Sequence, residues 1–195
     1  MEKKKNNFVK VFEPGVYLFR AFARNGETMN NLQEAFEELV KDMYSAEKQV
    51  LKALPKAASA STSKDLIAGI EAHIKQTEQH VVRLEEIASR GGYKPSGKVC
   101  TAAKGIIEEQ DEALSEHEKG PLLDAVLVCG CQKFEHYEIA NYGTAVSWAK
   151  LLGLKEDLNA LQETLTEEKE TNQKLTDVAD STVNKAALSE MAGAR

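Results

Sequence analysis

Apolar residues recur at three- and four-residue steps along most of the chain, a spacing that predicts long amphipathic helices. The first stripe starts after Asn31, and Pro55 is expected to end or kink its helix. A Ser- and Thr-rich connection at 59–63 leads to a second helix, for which Ser63 is a suitable N-terminal cap. Gly91-Gly92 ends that second helix. The first half of the chain therefore predicts a helical hairpin.

A second hairpin is predicted in the other half. Pro121 is placed to begin a helix, and Gly153 separates it from another, whose apolar stripe runs to Ala179. Between the two hairpins lies a long crossover that contains a shorter helix from about Thr101 to Glu118. Two antiparallel hairpins joined by one long connection are typical of a four-helix bundle, so we predict an all-α fold of that kind.

The two ends of the chain depart from this pattern. Residues 1–28 carry a net charge of +3, whereas the remainder carries −9. Alternation of apolar and polar residues over Phe8–Phe12 predicts at most a weak hairpin there. We predict a poorly ordered N-terminal extension over 1–28, a helical bundle over 29–187 and a frayed C-terminal tail over 188–195, with fraying beginning at Asn184.

Composition narrows the class of protein. The 195-residue chain has 42% hydrophobic and 29% charged residues and a formal net charge of −6, which suits a globular domain and disfavours nucleic-acid binding. No apolar run approaches the roughly 20 residues that span a membrane. The 3 cysteines are too few for a disulfide framework. We therefore expect a cytoplasmic protein with neither nucleic acid nor membrane as a partner.

Carboxylates interrupt the apolar stripes of three helices. Glu47 lies on the stripe of the first helix, and Glu168 lies on that of the last. Glu135 and Glu138 are three residues apart and so share one face of the helix that follows Pro121. Charged groups at core-facing positions are rare unless they are paired or bound to metal.

Distances from the turns test whether these residues can meet. Glu138 and Glu168 each lie 15 residues from Gly153, so they match in height within one antiparallel hairpin. In the other hairpin, Glu47 lies at about the height of His73. A shared site requires this match.

A second histidine lies farther along the same helix. His80 is nearly two turns, about 10 Å, beyond His73, so the two histidines cannot bind one ion. His80 could replace a missing ligand if the helix shifts, but a histidine at the edge of the core is the simpler interpretation.

Inward carboxylates at one level repel each other and are costly to remove from water. No basic residue shares these stripes at that level, because Lys48 and Lys133 point elsewhere. Multivalent cations resolve the conflict, and carboxylate oxygens with imidazole suit iron or manganese. Glutamates can also bridge two ions in bundles of this kind. The alternative is a set of partly solvated glutamates.

Three segments carry a family resemblance. Asp42-Met43-Tyr44-Ser45-Ala46-Glu47-Lys48-Gln49, followed by Leu51-Lys52-Ala53-Leu54-Pro55-Lys56, resembles the first helix of the YciE/YciF family of ferritin-like bacterial proteins. The stretches that are similar to its later helices are Phe134-Glu135-His136-Tyr137-Glu138-Ile139-Ala140-Asn141-Tyr142-Gly143-Thr144 and Gln162-Glu163-Thr164-Leu165-Thr166-Glu167-Glu168-Lys169. The resemblance covers roughly Asn31 to Ala187.

The resemblance implies a rubrerythrin- and ferritin-like bundle with a two-metal centre, often dimeric and associated with stress responses. Carried over position by position, it implies five metal ligands, namely Glu47, His73, Glu135, Glu138 and Glu168. Family members usually have Glu where this chain has Gln76, and often Asp where it has Asn172. Neutral amides lower the negative charge that balances two divalent ions, so a partly filled or mononuclear site is an alternative.

Other polar side chains near the stripes have simpler interpretations than chemistry. Cys131, one turn from Glu135, is interpreted as a small buried residue rather than an oxidant sensor. Glu163 and Glu167 are placed on the solvated face or behind the ligands. Three tyrosines could donate to a bound ligand or carry an electron, but packing at the bundle surface explains them equally well: Tyr44, Tyr137 and Tyr142.

The leading hypothesis is a homodimeric protein with two iron ions per chain, or manganese in their place, whose partners are the metal ions and peroxide or dioxygen. Peroxidase and ferroxidase chemistry both fit it. A manganese catalase type of reaction is a third reading. The rival from a different class is a structural or interaction bundle with a degenerate metal site, which Gln76 and Asn172 favour.

Overall fold

The structure, a computed structural model, describes residues 31–193, with side chains through Glu190. All regular structure in this part of the chain is helical, as predicted. The helices are α1 (Leu32–Ala60), α2 (Lys64–Gly91), α3 (Thr101–Glu116), α4 (Pro121–Leu152), α5 (Lys155–Val178) and α6 (Asn184–Gly193).

The four long helices form the bundle that the pattern predicts. The two hairpins are α1 with α2 and α4 with α5, and they pack against each other through contacts of α1 with α4 and of α2 with α5. The crossover helix α3 lies against α1 and α4. One long connection between two antiparallel hairpins is the topology of ferritin-like bundles, so the predicted fold class is confirmed.

Most helix ends follow the predicted signals. The Asn31 and Ser63 side chains accept hydrogen bonds from the first turns of α1 and α2, which satisfies backbone donors that have no partner within a helix. Gly92 and Gly153 follow α2 and α4 with φ of 74° and 73°, a left-handed conformation that glycine adopts without steric cost.

Asp124, in the first turn of α4, fastens the turn between α1 and α2. Its carboxylate accepts hydrogen bonds from the backbone amides of Thr62 and Ser63 at 2.8 and 2.9 Å, and from the Thr62 hydroxyl at 2.5 Å. A buried carboxylate is tolerated when donors surround it. This contact fixes one hairpin against the start of the other.

The start of α3 is tied to two neighbouring helices by Tyr137. Its hydroxyl donates to Asp42 Oδ2 at 2.8 Å, and Cys100 Sγ lies 2.8 Å from the same hydroxyl. The Cys100 backbone amide also donates to Ser45 Oγ at 2.9 Å. The Tyr137 side chain is therefore a cross-helix link rather than a packing residue at the bundle surface.

We expect Pro55 to end or kink the first helix, and the first of these alternatives is wrong, because α1 continues to Ala60. Pro55 lies on the exposed side of the helix, where water can hydrogen bond to the carbonyl group that the missing N–H leaves free. Leu54 and Ala57 are buried in the core, and their packing stabilises the last turns.

The C-terminal region is helical as far as the structure describes it, and fraying from Asn184 stays a prediction. After α5 the chain makes a π-helical turn over Ala179–Val183 and continues as α6 to Gly193. Ala179 and Val183 in the π-helical turn are buried and α6 contacts α4, whereas the described side chains of α6 are mostly exposed. The predicted extension over 1–28 and residues 194–195 lie outside the described residues.

The buried apolar residues form two clusters, one toward each end of the bundle. Leu54, Leu66 and Leu127 belong to the cluster near the α1–α2 turn, whereas Phe36 and Leu161 belong to the other. Between the clusters lies a layer of buried polar side chains. None of the helices in residues 31–193 has the length and apolar character needed to cross a bilayer.

Candidate metal centre

Four glutamates from three helices point into the polar layer. Glu47 comes from the middle of α1, Glu135 and Glu138 come from α4, and Glu168 comes from α5. Each is at most 2% exposed. The structure therefore places all four inside the bundle and contradicts the alternative of partly solvated glutamates.

Two histidines from α2 complete the layer. His73 and His80 are 3% and 0% exposed, and their ring centroids are 6.5 Å apart. This is closer than the roughly 10 Å that separates their backbone positions along the helix axis, because the side chains converge. The expectation that His80 lies at the edge of the core is wrong.

The six side chains form two groups that share one residue. In the first group, one ligand atom from each of His73, Glu135, Glu138 and Glu168 lies within 4.8 Å of the others. In the second, the same holds for Glu47, His80 and Glu168. All five predicted ligand residues are thus brought together, and His80 joins them. Their role as ligands stays a prediction.

The closest contacts have the spacing of ligands around one ion. His73 Nε2 lies 3.2 Å from Glu135 Oε1, and His80 Nδ1 lies 2.9 Å from Glu168 Oε1 and 3.5 Å from Glu47 Oε1. Two ligands at right angles, each about 2.1 Å from an ion, are about 3 Å apart. The contact between His80 Nδ1 and Glu168 Oε1 does not have hydrogen-bond geometry, although the distance is short.

Most of the carboxylate oxygens have no hydrogen-bond partner among the described residues. These include both oxygens of Glu138 and of Glu168, and one oxygen each of Glu47 and Glu135. Buried polar atoms normally have a hydrogen-bond partner, so several unpartnered oxygens in one layer need a physical explanation. Because oxygen and imidazole donors converge without partners, the residues present fit divalent iron or manganese.

Burial and mutual repulsion shift the acidities of this layer. Removal from water raises the pKa of Glu135 and of Glu138 well above the usual range, and neighbouring carboxylates add to this rise. Burial likewise raises the pKa of Glu47. The polar layer therefore favours protons or cations over free negative charge.

His80 and Glu168 behave as a charged pair. Burial opposes a charge on His80, but its contacts with Glu168 and Glu47 outweigh this effect and raise its pKa to about 10. Burial would also raise the pKa of Glu168, but His80 lowers it. In contrast, burial lowers the pKa of His73, which favours its neutral form.

The other nitrogen of His80 has its own carboxylate partner. His80 Nε2 lies 2.9 Å from Glu167 Oε2, and Glu167 is held in turn by a bidentate contact with Arg83. Arg83 also contacts Glu163 at 2.7 Å. A carboxylate behind a histidine fixes the orientation and tautomer of the ring, an arrangement that is usual for metal-binding histidines.

Tyr142 supports the opposite side of the layer. It is 1% exposed, and its hydroxyl donates to Glu47 Oε1 at 2.5 Å. The interpretation of Tyr142 as a surface packing residue is therefore wrong. Tyr44 does lie nearer the surface, where its hydroxyl donates to Glu85 at 2.9 Å.

The two departures from the family pattern have other contacts. Gln76 Oε1 accepts a hydrogen bond from Thr171 Oγ1 at 3.3 Å, and Asn172 Oδ1 lies 3.5 Å from Gln132 Nε2. Cys131 is buried beside Glu135, and burial raises its pKa to about 12. Cys131 is therefore a neutral thiol, in agreement with its interpretation as a small buried residue.

Comparisons with known proteins agree with this architecture. Residues 31–188 match a family described as "Domain of unknown function (DUF892)". The chain belongs to this family. Protein YciF of Escherichia coli (strain K12) is 41% identical over 160 residues, which cover 82% of this chain and 96% of YciF. The predicted family resemblance is thereby confirmed.

Solved structures of relatives share the fold. The E. coli stress protein YciF superposes with a TM-score of 0.77 at 40% identity, covering 80% of this chain and 99% of YciF. YcfI from Rhodopseudomonas palustris gives 0.73 at 38% identity, covering 80% and 98%. A protein from Xanthomonas campestris gives 0.68 at 20% identity, covering 83% and 99%, and shows the fold alone.

Proposed function

We propose that this DUF892 protein binds two iron ions, or manganese in their place, between its hairpins and reacts with peroxide or dioxygen as part of a stress response. The observation that carries this proposal is the pair of buried ligand groups that share Glu168. The relative YciF is described as a stress protein, which supports the physiological part. The free cysteines among the described residues support a cytoplasmic location.

Each group would hold one ion. His73, Glu135 and Glu138 would hold the first, and Glu47 and His80 would hold the second. Glu168 belongs to both groups, so it would bridge the two ions, as glutamates do in two-metal bundles. When bound, the ions supply the redox electrons for reaction with a peroxide or dioxygen.

The protein's own residues prepare this chemistry. Glu167 accepts a hydrogen bond from Nε2–H of His80. In the neutral ring this places the proton on Nε2, so the lone pair of Nδ1 is available to bind the ion. The Tyr142 hydroxyl orients Glu47. The apolar clusters at both ends limit the access of bulk water to the layer, which strengthens electrostatic interactions within it.

Elemental analysis of the protein after reconstitution with ferrous ion tests the proposal. We expect about two iron ions per chain. A protein that takes up no iron and no manganese would instead support a structural or interaction bundle with a degenerate site. The chain's Gln76 and Asn172, which lack a negative charge, are the features that favour this second function.

The reaction itself requires a separate assay. Steady-state rates with iron-loaded and manganese-loaded protein separate the candidates: a peroxidase consumes a reductant with peroxide, a ferroxidase consumes ferrous ion and oxygen, and a manganese catalase releases oxygen from peroxide without a reductant. We also propose a homodimer, as the family resemblance implies. Sedimentation velocity that finds a monomer at micromolar concentration would contradict it.

A further inference from the structure

A cavity of about 60 Å³ lies beside the polar layer and is lined by residues of α1 to α5. One side of it is bounded by exposed residues, Asp65 of α2 and Lys174 of α5. On the other side the lining includes the buried His73 and Glu135. The cavity thus joins the outside of the bundle to one half of the candidate metal centre.

The size of the cavity limits what it can hold. The volume measures the space that is open to the centre of a water-sized sphere, and one water molecule needs roughly 10–15 Å³ of it. The cavity therefore holds about four to six water-sized groups. This exceeds the requirement of hydrogen peroxide or dioxygen. It suits a molecule with a short alkyl group.

The lining also has two kinds of surface. Most of the wall is aliphatic or aromatic, and its buried residues include Leu54 of α1, Ile70 of α2 and Phe134 of α4. At the polar layer, His73 Nδ1 and Glu135 Oε2 are buried and have no hydrogen-bond partner among the described residues. A fitting ligand therefore has an apolar body and one small head group that can donate and accept hydrogen bonds.

We infer that this cavity binds small alkyl hydroperoxides, with the alkyl group against the apolar wall and the hydroperoxide group beside His73 and Glu135. This inference rests on the proposed function, because it names the peroxide class that reaches the centre. Each buried CH₂ group strengthens binding about fourfold. Hydrogen peroxide has no such group, so contact with the apolar wall adds nothing to its binding.

Gly69 of α2 offers a way to fill the cavity without disturbing the ligands. It lines the cavity, and a Cβ atom placed there would meet no atom within 4 Å. Gly105 of α3 is a matched control, because its Cβ would also meet nothing within 4 Å and it does not line the cavity. In both helices, replacement of glycine by leucine improves helix propensity.

The first test uses metal-free protein, so that it does not depend on metal uptake. We expect tert-butyl hydroperoxide to bind, as measured by saturation-transfer NMR titration. Gly69→Leu should raise the dissociation constant at least tenfold, whereas Gly105→Leu should change it less than twofold. Absence of binding to the unsubstituted protein, or equal binding to the Gly69→Leu variant, would overturn the inference even if the protein binds two metal ions.

The second test compares two peroxides with iron-loaded protein. We expect Gly69→Leu to lower kcat/KM for tert-butyl hydroperoxide at least tenfold more than it lowers kcat/KM for hydrogen peroxide. Equal losses for both peroxides would overturn the assignment, because the cavity would then be a common path without preference for the alkyl group. Failure to load metal would refute the proposed function. The titration of metal-free protein would still show whether the cavity binds alkyl hydroperoxides.

Discussion

The two histidines of α2 stand in contrasting surroundings. His80 has carboxylates beside both nitrogens: Glu168 and Glu47 lie close to Nδ1, and Glu167, which Arg83 contacts, lies beside Nε2. His73 contacts Glu135 through Nε2, but its Nδ1 has no hydrogen-bond partner among the described residues, and it lines a cavity.

The two halves of the candidate metal centre therefore differ in how firmly their histidines are oriented. The half around His80 is oriented before any ion arrives, since charged partners fix its ring. The half around His73 has more carboxylates and fewer supporting contacts, and it borders the cavity. The following predictions test this contrast, from the largest expected effect to the smallest.

Removal of the shared carboxylate, together with a second ligand, should prevent metal binding in both halves of the centre. Glu138→Ala combined with Glu168→Ala should reduce metal content from about two ions per chain to none, because both groups lose a ligand. Helicity by circular dichroism should stay largely intact, since the apolar clusters are unchanged. Glu112→Ala combined with Glu170→Ala, at two exposed positions, should keep full metal content. Full metal content in the first variant would refute the ligand assignment.

Separate removal of the histidines should have unequal consequences. His80→Ala leaves only Glu47 and Glu168 in its group, so we expect the metal content to fall from about two ions to about one. His73→Ala leaves three carboxylates in its group, so we expect both ions to bind, with weaker affinity for one. Metal analysis and titration measure both variants. If each variant loses one ion, the two histidines contribute equally to metal binding, and their different surroundings do not affect metal affinity.

Metal uptake should release protons. The pKa of His80 is about 10, so this ring holds a proton near neutral pH that it must lose to bind an ion. Burial raises the pKa of Glu135 and of Glu138, which makes their deprotonated, metal-binding forms harder to reach as the pH falls. Affinity should therefore fall as the pH falls, about tenfold per pH unit for each proton displaced. Calorimetry in buffers of different ionisation enthalpy counts the protons. Affinity independent of pH between 6 and 8 would contradict the expected sign.

The carboxylate behind His80 should make a smaller contribution than the ligands. Glu167→Gln removes the charge that orients the ring, and we expect metal affinity on that side to fall about 10- to 100-fold with the number of ions unchanged. Glu163→Gln is the control, since Glu163 contacts the same Arg83 but is 63% exposed. If both variants lose affinity equally, the loss reflects Arg83 rather than His80.

The sequence predicts the four glutamates because charged residues interrupt apolar stripes at matched distances from the turns. The pattern alone places His80 at the edge of the core. However, His80 lies seven residues from His73, and two helical turns return it to the same face of the helix. The contacts of Arg83 with Glu167 and of Tyr142 with Glu47 join residues more than 80 positions apart. Only the packing of the helices reveals such pairs. The cavity is equally invisible in a hydrophobicity pattern, since the same side chains would predict a filled core.

The π-helical turn at Ala179–Val183 has a consequence for reading related sequences. Such a turn accommodates one residue more than an α-helical turn, and each residue of an α-helix advances the chain by about 100° around its axis. A relative that lacks one residue in this segment would present α6 to α4 with a different set of side chains. Alignment gaps among homologues should therefore collect at this position, and residues beyond it should be compared by structure rather than by simple counting.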